Sequence, residues 1–270
     1  MIGRLCIIGT GLIGGSLARA LRAAGHCSEV VGCSRNPAHL QEAVDLGVID
    51  RFDTDPAQAV AGADMVLVAV PLGAMEAVFR ALRDRLDEDA VLTDVGSAKT
   101  GVIEAARRGF GELPSSFVPG HPIAGTEQSG VAASFAELFR DRRVILTPLE
   151  QTSAAATARV RAMWEAAGAV VDEMDPAHHD AVLAATSHLP HVLAFTLVDS
   201  LARLGDSDEI FRYAAGGFRD FTRIASSDPV MWRDICLANG DAILQMIERF
   251  GGDLERLADA VRGHDGEHLQ

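Results

Sequence analysis

The first half of the chain alternates short, continuous apolar runs with stretches of helical periodicity. Arg4 to Ile8 is followed by a helix to Ala24, and Glu29 to Cys33 by a helix from Pro37 to Leu46. The alternation continues through Asp64 to Val70, Ala90 to Val95, Phe117 to Pro119 and Arg143 to Thr147, ending with Ala169 to Val171. A strand with one solvated face alternates apolar and polar residues, whereas a strand covered on both faces is apolar throughout. Each run here is of the second kind and leads into a helix. The pattern therefore predicts a doubly wound α/β domain, a parallel sheet between two helical layers.

Helix starts at Asn36-Pro37, Asp55-Pro56, Asp175-Pro176 and Asp228-Pro229 pair a side-chain acceptor at the N-cap with a proline at the first helical position. Both residue types suit the free amides of a first turn. From Asp175 onward no strand signal remains, which divides the chain into an α/β segment, residues 1–173, and a helical segment, residues 174–270. Helices from about Pro176 to Leu204 and Pro229 to Phe250 are apolar over much of their circumference. Such helices need cover, and the expected partner is a second copy of the same segment, giving a homodimer through the C-terminal helices.

Composition narrows the partners. A formal charge of -14 over 270 residues argues against nucleic acid and anionic membrane surfaces, both of which require clustered basic residues. Any anionic ligand must then meet a local positive pocket. Lys99 is the only lysine in the chain. Cys6, Cys27, Cys33 and Cys236 lack the paired spacing of a metal site and are expected as buried free thiols of a reducing compartment. Glycines interrupt the first apolar run, so no signal peptide is expected, and no stretch is expected to reach the roughly 20 apolar residues of a membrane helix. The expected location is the cytoplasm.

The first run ends in Gly9-Thr10-Gly11-Leu12-Ile13-Gly14 and enters a helix. Glycines at this spacing, between a strand and a helix, permit a tight turn, close approach of a pyrophosphate and close helix packing. The α/β segment is thus expected to be a Rossmann-type dinucleotide-binding domain. Some 20 residues on, where NAD-specific folds place a carboxylate, stand Ser34 and Arg35. Arg35 either pairs with a 2′-phosphate or stacks on adenine, which leaves NAD and NADP both open. Val70-Pro71 and Ser97 with Lys99 follow later strand ends, where ligands of open α/β sheets lie.

His121 sits between prolines and glycines in Pro119-Gly120-His121-Pro122-Ile123-Ala124-Gly125-Thr126-Glu127. A histidine in so stiff a loop suits proton chemistry, because its ordinary pKa lies near neutrality. With GTGLIGGSLARAL at Gly9–Leu21, DVGSAK at Asp94–Lys99, GHPIAGTE at Gly120–Glu127, TSHLPH at Thr186–His191 and GGFRDFTRIASSDPVMWRDI at Gly216–Ile235, the chain resembles the prephenate/arogenate dehydrogenase family along nearly its whole length. The first motif is common to many dehydrogenases. The other motifs, in this order, are specific.

The resemblance implies oxidative decarboxylation of prephenate to 4-hydroxyphenylpyruvate, or of arogenate to tyrosine, with hydride passing to NAD(P)+ in tyrosine biosynthesis. It implies that His121 accepts the ring hydroxyl proton, that Ser97 helps hold that hydroxyl and that Arg223 binds a carboxylate. His191, Ser187, Asp220 and Trp232 would line the pocket, with Thr126, Glu127 and Lys99 also in contact with substrate; no metal is needed. Arg219 competes with Arg223 for the carboxylate, and the family pattern selects Arg223. Pro190 is expected only to kink a long helix, and His178 and His179 to form a solvated first turn. The alternative is a hydroxyacid or imine oxidoreductase of the same layout; such families generally place a lysine or other donor in the helical domain, and this helical segment has no lysine.

Overall fold

A computed structural model describes residues 1–270, all side chains included except that of Ser207. Two compact units, Met1–His179 and Asp180–Gln270, make up the chain. In the first, β1 (Ile2–Ile8), β2 (Cys27–Cys33), β3 (Arg51–Asp53), β4 (Met65–Val68), β5 (Val91–Asp94) and β6 (Phe117–Val118) form one sheet in the order β3-β2-β1-β4-β5-β6. All of its pairings are parallel. The crossovers are α1 (Leu12–Ala23), α2 (Pro37–Asp45), α3 (Pro56–Ala59), α4 (Leu72–Leu82) and α5 (Lys99–Phe110).

The continuous apolar character of β1 follows from this layering. Leu5 and Ile7 join a core with Leu17, Leu21 and Trp164, while Cys6 and Ile8 join another with Phe79, Phe110 and Phe117. Successive side chains leave a strand on opposite faces, so a sheet covered twice has no polar positions to spare. Cys6 and Cys33 are buried and Cys27 and Cys236 half-buried, all four as free thiols. Burial pushes the Cys33 thiol up to about 12, helped by the carboxylates of Asp53 and Asp55.

The runs Arg143 to Thr147 and Ala169 to Val171, expected in this sheet, lie in another together with a strand from the segment around His121. After β6 come β7 (Gly120–Pro122), β8 (Arg143–Leu146), α6 (Ala154–Ala166) and β9 (Val170–Glu173), and the strands pair in the order β7-β8-β9. β7 runs antiparallel to β8, which is parallel to β9. The loop predicted around His121 is therefore an edge strand. Two prolines beside it concealed the strand, but an edge tolerates proline because one side of it needs no ladder bond.

The Asn/Asp-Pro starts all cap as expected: Asn36 accepts from Ala38, Asp55 from Ala57, Asp175 from Ala177 and His178, and Asp228 from Val230 and Met231. Asp175 opens α7 (Pro176–Leu183), which passes through a π-helical turn, Ala184–His188, into α8 (Leu189–Ala202). Pro190 explains the slip. It has no N–H for the carbonyl of Thr186, so the ladder widens over the preceding turn. The whole span Pro176–Ala202 is, by length and composition, apolar enough to cross a membrane, contrary to expectation, and 28% of its most apolar stretch is buried within the chain.

The rest of the second unit is α9 (Ser207–Arg212), α10 (Gly216–Thr222), a 3-10 turn at Arg223–Ser226, α11 (Pro229–Ala238) and α12 (Gly240–Arg262). The single helix expected from Pro229 to Phe250 is broken at Asn239. Its side-chain amide donates to the carbonyl of Asp180 (2.9 Å) and lies 3.0 Å from His188 Nδ1. Nor is α12 apolar all round: it carries one stripe, in which Leu244, Ile247, Leu254, Leu257 and Val261 remain exposed.

Candidate active site

The three motif glycines serve three different purposes. Gly9 has φ +104, and a Cβ there would stand 2.2 Å from the carbonyl oxygen of Ala69. At Gly14 a Cβ would lie 2.4 Å from the Gly9 oxygen and 2.7 Å from Ile7 Cγ2, so α1 presses directly on β1. A Cβ at Gly11 would meet nothing within 4 Å; protein packing does not demand glycine there, whereas close approach of a ligand does. No side chain caps α1, and its first turn carries no acidic residue. Its amides and dipole are left for an anion.

A cleft of about 490 Å³ opens over this helix start, lined by Gly9, Thr10, Gly11, Ser34, Arg35, Val70 and Pro71. His39, Glu42, Thr54 and Pro56 line it beside β2 and β3, and Gly130 and Val131 come from the segment after β7. Leu12, Ile13 and Gly14 form the helix start itself. The cleft lies at the carboxyl ends of β1, β2 and β4, and the strand order reverses between β1 and β4. That is where open α/β sheets bind nucleotides. Two other clefts, of about 750 and 510 Å³, share Glu112, Pro114 and Ser115 near the opposite end of β6.

β5 ends in Asp94, whose carboxylate ties the neighbouring elements together. Its Oδ2 accepts from Gly96 N (2.7 Å) and Lys99 Nζ (2.6 Å), and its Oδ1 from Gly120 N (3.1 Å). Lys99 Nζ also donates to the Gly120 carbonyl at 2.5 Å. Both charged side chains are wholly buried. The pair thus fastens the β5–α5 loop, which carries half-buried Ser97, to the residue before His121. This corrects the expectation for Lys99: an ammonium enclosed on Asp94 and Gly120 positions the site from behind and does not face a substrate.

His121 is opposite Ile145 in β8 and 8% exposed. Its Nδ1 lies 2.9 Å from His179 Nε2, with the ring planes at 63°. His179 was expected in solvent with His178; only His178 is exposed, and His179 is wholly buried. Adjacent residues on a helix point about 100° apart, so one can be wet and the other dry. The signal was present in Leu183 and Ala184, buried one turn on along the same stripe. Thr126 and Glu127 are exposed in the segment after β7, and Thr126 Oγ1 accepts from Gln128 N at 3.2 Å.

In the second unit the structure gathers three of the expected residues. His191 Nδ1 donates to the Ser187 carbonyl (2.9 Å), and its ring stacks on Trp232 at 3.8 Å and 19°. Burial lowers the His191 pKa, while the Ser187 carbonyl works in the opposite direction. The neutral ring then presents Nε2 as an acceptor. Trp232 is buried, and its indole N–H has no hydrogen-bond partner among the described residues. His188 turns to Asn239 instead of pairing with His191. Asp220 and Arg223 are exposed, on α10 and the 3-10 turn, both of which pack against α8.

This fold and cleft define a dinucleotide-dependent oxidoreductase. Residues 17–173 match the nucleotide-binding domain of prephenate dehydrogenase, and residues 175–270 match its dimerization domain. The cyclohexadienyl dehydrogenase of Zymomonas mobilis is 42% identical, over 98% of this chain and 90% of that protein. The crystal structure of prephenate dehydrogenase from A. aeolicus, in complex with hydroxyphenyl propionate and NAD+, superposes with a TM-score of 0.93 at 39% identity, covering 100% of this chain and 94% of that one. The Synechocystis arogenate dehydrogenase gives 0.81 at 29% identity, over 97% and 93%. The chain belongs to the prephenate dehydrogenase family.

Proposed function

We propose that the protein oxidatively decarboxylates prephenate, arogenate or both, in the cytoplasm, on the path to tyrosine. The observation that carries this is His121, fastened through Gly120 to the end of β5 on the edge of the sheet where the dinucleotide cleft opens. A bound nicotinamide supplies the hydride acceptor. His121 takes the proton of the ring hydroxyl, Ser97 holds that hydroxyl, and the carbon–hydrogen bond delivers its electron pair as the carbonyl forms. The resulting dienone loses carbon dioxide and becomes aromatic.

Residues of the second unit are assigned to recognition. Arg223 binds a substrate carboxylate through parallel hydrogen bonds, and His191, Ser187, Trp232, Asp220, Thr126 and Glu127 are assigned to substrate contact. Arg223→Ala is expected to raise KM by about ten- to a hundredfold, the loss of hydrogen bonds to a charged group, with a smaller effect on kcat. Steady-state titration with substrate checks this; an unchanged KM removes Arg223 from the site. The residue 173/174 boundary keeps α7 with the helical segment, although the compact units divide within it.

The cofactor is NAD or NADP: Ser34 and Arg35 stand at the tip of β2 where NAD-specific folds place a carboxylate, and Glu42 lines the same cleft. Gly11→Ala is expected to leave Tm unchanged, because its Cβ has open space, yet to weaken dinucleotide binding by about tenfold, roughly 1.4 kcal/mol. Calorimetric titration measures the affinity, and scanning calorimetry the Tm. The apolar stripe of α12 is covered by a second copy of the chain, giving a homodimer. Turnover of prephenate or arogenate with NAD or NADP, followed by nicotinamide absorbance, tests the assignment. No turnover in any of the four combinations overturns it.

A further inference from the structure

His179 belongs to no motif that suggested chemistry, yet its side chain is in direct contact with the proton-accepting residue. Its position is set from the start of α7: Asp175 caps the helix through Ala177 and His178, and the amide of His179 bonds to the Asp175 carbonyl at 2.9 Å. This fixes the phase at which the ring turns inward, where it is wholly buried with Nε2 2.9 Å from His121 Nδ1. Two ring nitrogens at that distance share one proton.

The direction of sharing decides whether His121 can act. We propose that His179 is a positioning residue, a neutral imidazole whose Nε2 accepts the Nδ1–H of His121 and so keeps the basic lone pair of His121 on Nε2. In the opposite arrangement His179 donates, Nδ1 becomes the lone-pair nitrogen and Nε2 carries hydrogen; that form cannot take a proton at Nε2. Once the substrate O–H bond breaks and the N–H bond forms at Nε2, both nitrogens of His121 bear hydrogen. Only an accepting His179 is then compatible with the contact, and its bond becomes charge-assisted, which stabilises the imidazolium. The tautomer of a histidine is set by the hydrogen bond its other nitrogen makes.

The inference rests on the assignment of His121 as proton acceptor, and its test separates the two. His179→Leu, which preserves bulk and removes the acceptor, is expected to lower kcat by about 10- to 100-fold with KM within about threefold, the scale of losing a residue that orients a functional histidine. His179→Gln offers an amide oxygen near the position of Nε2 and is expected to retain kcat to within about threefold. A role in packing alone predicts the reverse order, with the apolar residue tolerated better.

Long-range ¹H–¹⁵N correlation spectra of histidine-labelled protein supply the second readout, with the His121 signals assigned by their loss in His121→Asn. His121 is expected to be protonated at Nδ1 in the wild type and in His179→Gln, and to shift toward the Nε2–H form in His179→Leu. Wild-type kcat in the leucine variant, equal losses in both variants, or an Nε2–H tautomer in the wild type would each overturn the proposal. If His179→Leu does not fold, the glutamine variant and the wild-type spectrum decide. Absence of turnover in the wild type refutes the assigned reaction instead, and the spectra still report the direction of the shared proton.

Discussion

His121→Asn is expected to lower kcat by about 100- to 10,000-fold while KM stays within about threefold, the range general-base catalysis contributes when substrate binding is left intact. Asparagine keeps a polar group of similar reach beside His179 but has no basic nitrogen near neutral pH. The ring hydroxyl must then surrender its proton to water as hydride departs, and the developing carbonyl gains nothing from the enzyme at that atom. The substitution is small and β7 is held by backbone pairing to β8, so Tm should change little. Initial rates over a range of substrate concentrations, with a melting curve as control, measure the effect. Wild-type kcat in this variant would show that the proton leaves by another route.

The second large effect lies behind the site. Lys99→Met is expected to cost about 3–5 kcal/mol of stability, because removing one partner of a buried pair leaves an uncompensated charge. Asp94 would keep its bonds from Gly96 and Gly120 but lose the ammonium of the chain's one lysine. Asp94→Asn combined with Lys99→Met removes both charges and should recover part of the loss. A double-mutant cycle in urea therefore gives a combined cost well below the sum of the single ones. Additive costs would mean that the two side chains are not coupled. Arginine is a poor substitute here: its planar fork needs more room than a point charge enclosed at 2.5–2.6 Å from two acceptors.

The same pair shows how a sequence signal and its meaning can separate. A lone lysine among arginines marked Lys99 as a residue with a role, and its place after a strand end suggested a ligand contact. The role is real in the fold, but it is directed inward. No local pattern distinguishes an ammonium facing a substrate from one spanning Asp94 and Gly120, because Gly120 is distant in sequence and reaches Lys99 only through the crossing from β6 to β7. His179 failed in the opposite sense. A polar first turn of α7 suggests a solvated residue, but Leu183 and Ala184, one turn on, mark the stripe that buries it.

What the sequence by itself determined is local and periodic. Runs apolar on both faces gave a doubly covered parallel sheet, Asn/Asp-Pro pairs gave the helix starts, and glycines at their spacing gave the cofactor turn, since each depends on residues within a few positions of one another. Tertiary structure alone decided the long-range matters: the second sheet that makes His121 part of an edge strand, the break at Asn239 and the pairing of Asp94 with Lys99. It also decided which histidine meets His121. These depend on which distant backbone and side-chain groups must satisfy one another once water is excluded, and no stretch of sequence carries that information alone.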